Sequence, residues 1–352
     1  HEMMDYLKIF QMGDNFTAIF SIKALQESRI FDYTYTWIYH IQSLSLQEGV
    51  DMKRLALILT ALFLIASFGL VGCQPAEAEL GTEENPIIWA LVPSGETDTV
   101  LAGFTDVTDI IFDETGIVIE PFVATEYAGV IEALSADPPK AHMASLATFA
   151  YLVAAERGVA EAELVSLRFG SPSYSGQIFV RADSGIESIE DLAGKTFCRP
   201  DPLSTSGWII PSITLQAAGI NPETDLEVVD AGSHDAAVIG VYNGDCDAGS
   251  SYVDARSGQE EDYPDIMDVL KVIEVSPPIP NDGVQYHPSV PRELRDQING
   301  VLTTMHETEA GAEALYTAYE WDQLAEYGDD FYDPFRQVLD AAGVSVEDFL
   351  SE

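Results

Sequence analysis

Apolar positions between residues 86 and 300 switch repeatedly between two spacings. Pro86–Pro93 is a short apolar run bounded by proline, which predicts a buried strand. Residues 96–114 then place Val100, Leu101, Phe104, Val107 and Ile111 at helical spacing. Ile117–Phe122 predicts a second strand, Tyr127–Ala136 a second helix, 141–147 a short third strand and 148–157 a third helix. This βαβαβ rhythm predicts a parallel sheet with helices on both faces. Gly176–Arg181 predicts a long strand, after which the alternation restarts. A helical turn is expected at 188–192, strands at 196–199, 226–229 and 246–250, and helices at 207–218 and 234–243. Residues 268–276 return as a strand, and 291–352 are expected to be mostly helical. The prediction is an α/β fold of two lobes joined by a two-crossing hinge. Lobe 1 takes 86–178 and 280–352, and lobe 2 takes 179–279. Ligands in such sheets bind at the carboxyl ends of the strands.

The chain upstream of this pattern has a different character. Met52-Lys53-Arg54 precedes an apolar run from Leu55 to Val71, and Leu70-Val71-Gly72-Cys73 follows. A charged start, an apolar stretch and small residues before a cleavage point are the features of a secretory signal. The Leu-Val-Gly-Cys ending resembles the bacterial lipobox, which implies that 52–72 is a lipoprotein signal and that Cys73 carries lipid. Residues 73–85 are then a lipid-anchored linker, and the protein is extracytoplasmic. A membrane-spanning helix is the alternative, although the run is near the short end of the spanning range. Residues 1–51 are expected to be a non-native upstream extension; a genuine cytoplasmic extension fits a lipoprotein signal poorly.

The chain has 352 residues with a formal net charge of −43. Residues 73–352 hold 11 basic and 52 acidic side chains. Nucleic-acid binding needs clustered Lys and Arg, so that class is excluded, as is electrostatic docking on anionic headgroups. Any anionic ligand would have to be held against the protein's own field, by backbone N–H groups and hydroxyls rather than basic side chains. Beyond Cys73 only Cys198 and Cys246 remain, an even pair for an oxidising compartment. They sit on strands expected to be neighbours, so a disulfide is predicted; two buried free thiols are the alternative.

The strongest local signal is Asp201-Pro202-Leu203-Ser204-Thr205-Ser206-Gly207 running into Trp208-Ile209-Ile210-Pro211. A strand ends, a hydroxyl-rich loop follows and a helix begins. Free N–H groups and the positive end of the helix dipole make that position an anion site. Ordinary Ser/Thr capping also explains it. Pro211 requires the helix to start near Gly207. A second helix start, Asp230-Ala231-Gly232-Ser233-His234-Asp235, offers His234 as a donor or as a simple cap.

Together DPLSTSGWIIP, AGSHDAAV and NGDCDAG resemble the PhnD-type phosphate/phosphite/phosphonate-binding proteins. So do Glu126–Leu134, Gly185–Phe197 and Ser276–Asp282, and the resemblance covers about 86–300. It implies a periplasmic-binding-protein-like fold of type II and a monomer that passes a small phosphorus oxyanion to an ABC permease, without a metal or cofactor. It implies that Ser204, Thr205 and Ser206 hold the oxyanion, that His234 and Tyr127 donate to it, and that Tyr174 lies near the hinge. Asp282 matches an acidic position at the ligand. Asp254 falls where aminoalkylphosphonate binders keep a second carboxylate, or is a solvated acid. Two carboxylates suit either an ammonium on the ligand or a protonated oxyanion. Ala141-His142-Met143-Ala144-Ser145 departs from the family pattern and leaves that wall of the pocket undefined. A sensor subunit for the same oxyanions is a second reading. Ser204, His234 and Asp235 or Asp254 also permit a hydrolase by residue type, but no GxSxG elbow, HExxH, Walker A or GxGxxG motif occurs.

Overall fold

The structure is a computed structural model and describes residues 78–349. The extension, the signal segment and Cys73 lie outside the described residues. In chain order the elements are β1 (Ile87–Leu91), α1 (Thr97–Thr115), β2 (Ile119–Val123), α2 (Tyr127–Ser135), β3 (Met143–Ser145), α3 (Thr148–Glu156), β4 (Glu161–Leu167), β5 (Ser173–Tyr174) and β6 (Gly176–Arg181). Then come β7 (Thr196–Arg199), α4 (Ile210–Ala217), β8 (Glu227–Asp230), α5 (His234–Asn243), β9 (Ala248–Tyr252), α6 (Ile266–Val269) and β10 (Leu270–Val275). The chain closes with β11 (Ile279–Pro280), β12 (Gly283–Tyr286), α7 (Arg292–Thr304), α8 (Glu309–Tyr319), β13 (Gln323–Glu326) and α9 (Asp333–Ala342).

Two sheets result. The first has strand order β13-β4-β12-β3-β1-β2, with β1 parallel to both β2 and β3 and β12 antiparallel to its neighbours. The second has order β10-β6-β9-β7-β8, with β7 parallel to β8 and β9. The chain passes between them twice, and the crossing segments pair as the two-residue ribbon β5–β11. The lobe boundary expected at 178 falls inside β6, every residue of which pairs within the second sheet or lies between residues that do. The crossing itself is at residues 173–175.

An aromatic knot holds the first lobe. Phe104 of α1 meets Trp89, Tyr319 and Trp321 edge-on at 4.9, 4.9 and 5.6 Å. Edge-to-face geometry matches the ring quadrupoles. It ties β1, α1 and the end of α8 together. The close approach of α1 to α8 needs Gly103, because a Cβ there would sit 2.4 Å from the Ala318 nitrogen.

One expectation for this lobe needs correction. The segment 78–85 is not a free tether. Leu80 packs on the core, the Val118 N–H donates to the Gly81 carbonyl at 2.9 Å, and Gly81 holds a left-handed φ of 88°. From 291 to 349 the tail is mostly helical, as expected, and its one strand, β13, pairs with β4. Neither β4 nor β12 was foreseen. Glu161 and Glu163 break the apolar pattern of β4. The buried Arg295 of α7 donates to both, at 2.6 and 3.0 Å.

In the second lobe the sheet separates two small apolar clusters, one around Ile178, Val180, Phe197 and Leu215, the other around Phe179, Val238, Val241 and Leu270. Successive residues of β6 supply opposite faces, as the period of a strand requires. Cys198 of β7 is disulfide-bonded to Cys246, ahead of β9, with Cα atoms 5.8 Å apart.

Candidate functional site

Five strand-to-helix turns meet between the lobes: β1 to α1, β2 to α2, β3 to α3, β7 to α4 and β8 to α5. Each follows the carboxyl end of a strand that pairs in parallel with a neighbour, where the fold gathers helix N-termini. They enclose a cavity of 310 Å³ that Gly95, Tyr127, Ala147, Ser206 and His234 line, one from each turn, together with Tyr174 of the ribbon. In the departing segment 141–147, the hydroxyl of Ser145 is turned inward to accept from Trp89 Nε1 at 3.1 Å, and the small Ala147 forms the wall.

The hydroxyl loop is built by a local irregularity. Ser204 caps the turn, its Oγ accepting the Gly207 N–H at 3.2 Å. One π-type turn over Thr205–Ile209 follows, with both Trp208 and Ile209 donating to the Ser204 carbonyl. Pro211 has no N–H for the carbonyl of Gly207, and the Ser250 hydroxyl donates to it instead. Gly207 is packed so tightly on Pro200 that a Cβ would lie 2.3 Å from its ring. Ser206 therefore reaches the cavity, whereas Ser204 and Thr205 are buried behind it and do not line it.

His234 is fully enclosed. Its Nδ1 lies 2.8 Å from Ser251 Oγ, and its Nε2 lies 3.3 Å from Ser204 Oγ and 3.5 Å from the Tyr127 hydroxyl. Burial, then the field of Arg168, lowers its pKa to about 3, so the imidazole is neutral at physiological pH. The second ring nitrogen faces a hydroxyl rather than a carboxylate. The Ser-His-Asp arrangement that residue types allowed is not assembled, and Asp235 Oδ1 instead accepts from Gln259 at 2.9 Å.

Direct hydrogen bonds cross between the lobes. Tyr127 N–H donates to Asp201 at 3.0 Å, Phe149 N–H to Thr205 Oγ1 at 2.9 Å, and His234 N–H to the Ser94 carbonyl at 3.2 Å. The lobes are thus closed on one another. Burial pushes the Tyr174 phenol up to about 12.

The carboxylates are not distributed as the sequence suggested. Asp282 is half-buried in the wall, where Ser166 Oγ donates to it at 2.9 Å and Trp321 Nε1 at 3.3 Å, and desolvation raises its pKa. Asp254 does not line the cavity; its carbonyl receives Ser257 and Gly258 in a surface turn. Asp235, Asp262, Glu96 and Glu320 line the cavity in its stead. The expectation that no basic side chain takes part also fails. Arg168, directly after β4, is the one Lys or Arg among the lining residues, with its guanidinium carbon 4.9 Å from the Tyr252 ring centroid and an ion pair to Glu320. No sequence signal marked Arg168, because the pairing of β4 that delivers it was not legible. Asp201 and Ser251 were also missed, although both stand inside or beside the strings that carried the resemblance.

A sequence profile described as "ABC transporter, phosphonate, periplasmic substrate-binding protein" matches residues 89–332, the larger part of the chain. The chain belongs to this family. Every residue lining the cavity falls within the matched span. The phosphate-import protein PhnD of Mycolicibacterium smegmatis is 32% identical over 177 residues, 47% of this chain and 54% of that protein. The phosphonates-binding periplasmic protein of Escherichia coli is 25% identical over 231 residues, 64% of this chain and 67% of that one. The chain thus spans about half to two thirds of these phosphonate-family relatives. Two solved structures share the fold. One is a binding protein component of an ABC phosphonate transporter from Pseudomonas aeruginosa, with TM-score 0.67 and 22% identity over 73% of this chain and 87% of that one. The other is PhnD1 from Prochlorococcus marinus in complex with methylphosphonate, with TM-score 0.65 and 12% identity over 74% and 98%. The architecture is that of the type II periplasmic binding proteins.

Proposed function

We propose that this protein is the extracytoplasmic solute-binding component of an ABC importer and captures a small phosphorus oxyanion between its closing lobes. The observation that carries this reading is the neutral donor set at one end of a closed interlobe cavity: Ser206, His234, Tyr127 and Tyr174 around 310 Å³ of space. In the tautomer where the Ser251 hydroxyl donates to Nδ1, the single proton of neutral His234 sits on Nε2 and faces the Ser204–Tyr127 pair. Neutral donors at helix starts hold an anion without needing a net positive surface, which suits a chain of net charge −43. Ser204 and Thr205 set the loop, Ser206 contacts the ligand, and Asp282 accepts a proton-bearing ligand oxygen. Closure follows because Tyr127 and His234 come from opposite lobes and one ligand satisfies both.

In this reading Cys73 bears the lipid that keeps the protein at the membrane, the closed form docks on the permease, and it acts as a monomer. Calorimetric titration of the purified protein with phosphate, phosphite, methylphosphonate and 2-aminoethylphosphonate tests the ligand. Micromolar binding of at least one is expected, and no binding of any would overturn the reading. The His234→Ala variant should weaken every oxyanion about 10- to 100-fold, the effect of losing a buried hydrogen-bonding partner.

A further inference from the structure

Arg168 stands where the chain tolerates unusual backbone on both sides of it. Among the described residues only two non-glycine residues hold positive φ, Phe169 at 52° and Glu320 at 53°. Phe169 follows Arg168 directly, in the turn that bridges Arg168 to Ser171, and Glu320 is its ion-pair partner at the end of α8. Bulky residues avoid that region, and such strain persists where surrounding structure enforces it. Phe169 and Gly170 form the tight turn between Arg168 and Ser171, and Glu320 is the left-handed C-cap of α8, so each end of the ion pair is placed by a backbone turn. Its side chain is 14% exposed, it lies over the Tyr252 ring, and that ring lies 5.0 Å from the ring of His234.

The carboxylates of the inner cavity are already engaged. Glu320 is paired with Arg168. Asp282 accepts from Ser166 and from Trp321, and Asp254 lies outside the lining. Asp235, held by Gln259, and Asp262 and Glu96 complete the acidic lining. An ammonium group entering beside Arg168 would have to draw Glu320 out of its ion pair and leave the guanidinium as a like charge beside it at low dielectric. An oxyanion without an amine meets a guanidinium suited to its geometry.

Building on the oxyanion reading, we propose that Arg168 is the specificity-determining residue of the cleft, a built-in cation that selects phosphorus oxyanions lacking an amine. Glu320 holds the guanidinium in reserve, and the bound anion competes with it.

The test is titration of wild type, Arg168→Gln and Glu320→Gln with methylphosphonate, phosphite and 2-aminoethylphosphonate, with thermal melts as a folding check. Wild type should bind methylphosphonate or phosphite at least about tenfold tighter than the aminated ligand. Arg168→Gln should weaken the amine-free ligands about 10- to 100-fold, as expected for loss of a charge-assisted hydrogen bond, and leave the aminated one unchanged or improved. Glu320→Gln keeps the arginine and should tighten the amine-free ligands, a result that stands even if Arg168→Gln misfolds. A wild-type preference for 2-aminoethylphosphonate, equal weakening of all ligands in Arg168→Gln, or no gain in Glu320→Gln overturns the proposal while leaving oxyanion capture intact. Failure of wild type to bind any of the three overturns both.

Discussion

The two lobes repeat one strand–helix rhythm but secure it differently. Lobe 1 is a six-stranded sheet with an apolar cluster that runs from Ile87 to Leu339 and is centred on packed aromatic rings. Lobe 2 has five strands, two small clusters separated by its sheet, and a disulfide across β7 and the approach to β9. The difference maps onto the cleft. The larger lobe brings the charged pair Arg168–Glu320 and the half-buried Asp282, groups whose desolvation is costly and has to be offset by ion pairing and hydrogen bonds. The smaller lobe brings neutral donors, Ser206 and His234, whose positions depend on backbone detail more than on bulk. Stability should therefore rest on packed apolar side chains in lobe 1 and on a covalent bridge and single hydrogen bonds in lobe 2.

The largest expected effect is in the aromatic knot. Phe104→Ala removes a fully buried ring that touches Trp89, Tyr319 and Trp321, and should cost about 3–5 kcal/mol in denaturant unfolding. Because Trp321 also donates to Asp282, ligand affinity should fall in the same variant. A cost below about 1 kcal/mol would show that lobe 1 does not rest on this knot.

Next comes the staple. Cys198→Ser with Cys246→Ser opens a loop of sequence separation 48, which in the chain-entropy view is worth about 3–4 kcal/mol. Hydrogen exchange gives the sharper reading. Protection in β7, β8 and β9 should drop, with β1, β2 and β3 little changed. A uniform loss across both sheets would erase the contrast between the lobes.

A smaller effect tests the backbone detail. Ser250→Ala leaves the Gly207 carbonyl, already deprived of a partner by Pro211, without a donor in a buried site. The expected cost is about 1–3 kcal/mol. Ser206 is carried on that turn, so oxyanion affinity should fall alongside stability. Loss of stability with unchanged affinity would separate the two.

These positions also show what the sequence made legible. The alternation of strands and helices from 86 to 276 was readable because each buried strand is apolar and each helix carries a clean stripe. The anion-binding loop was readable because Ser204-Thr205-Ser206-Gly207 is dense in small hydroxyl residues between a strand and a helix. Strand β4 was not readable, since its glutamates are paired by Arg295, 134 and 132 residues downstream, and no local pattern records that. Arg168 was lost with β4. Asp254 falls outside the cavity lining, since a sequence match fixes the order of residues but not which side chains a loop turns inward. The pairing of β5 with β11, two residues each, is too short to leave any periodic trace.

The smallest effect concerns charge facing charge across the cleft mouth. Asp235 of lobe 2 is held at a pKa of about 6 by burial and by Glu320 and Glu96 of lobe 1. A carboxyl raised in the folded state contributes stability that is complete below its ordinary pKa of about 3.9 and is lost as pH rises through about 6. His234, depressed to about 3, acts in the opposite sense, and its contribution is lost as pH falls below about 6.5. The wild-type profile between pH 4 and 7 mixes the two, so the comparison that isolates Asp235 is with Asp235→Asn, which can keep the Gln259 hydrogen bond. The two proteins should melt together near pH 4. By pH 7 the variant should melt about 2–4 °C higher, the shift that about 1 kcal/mol gives a domain of this size. A gap that does not widen with pH would mean that the acidic groups of the two lobes do not oppose one another in the closed form. The contrast would then lie in the donors alone.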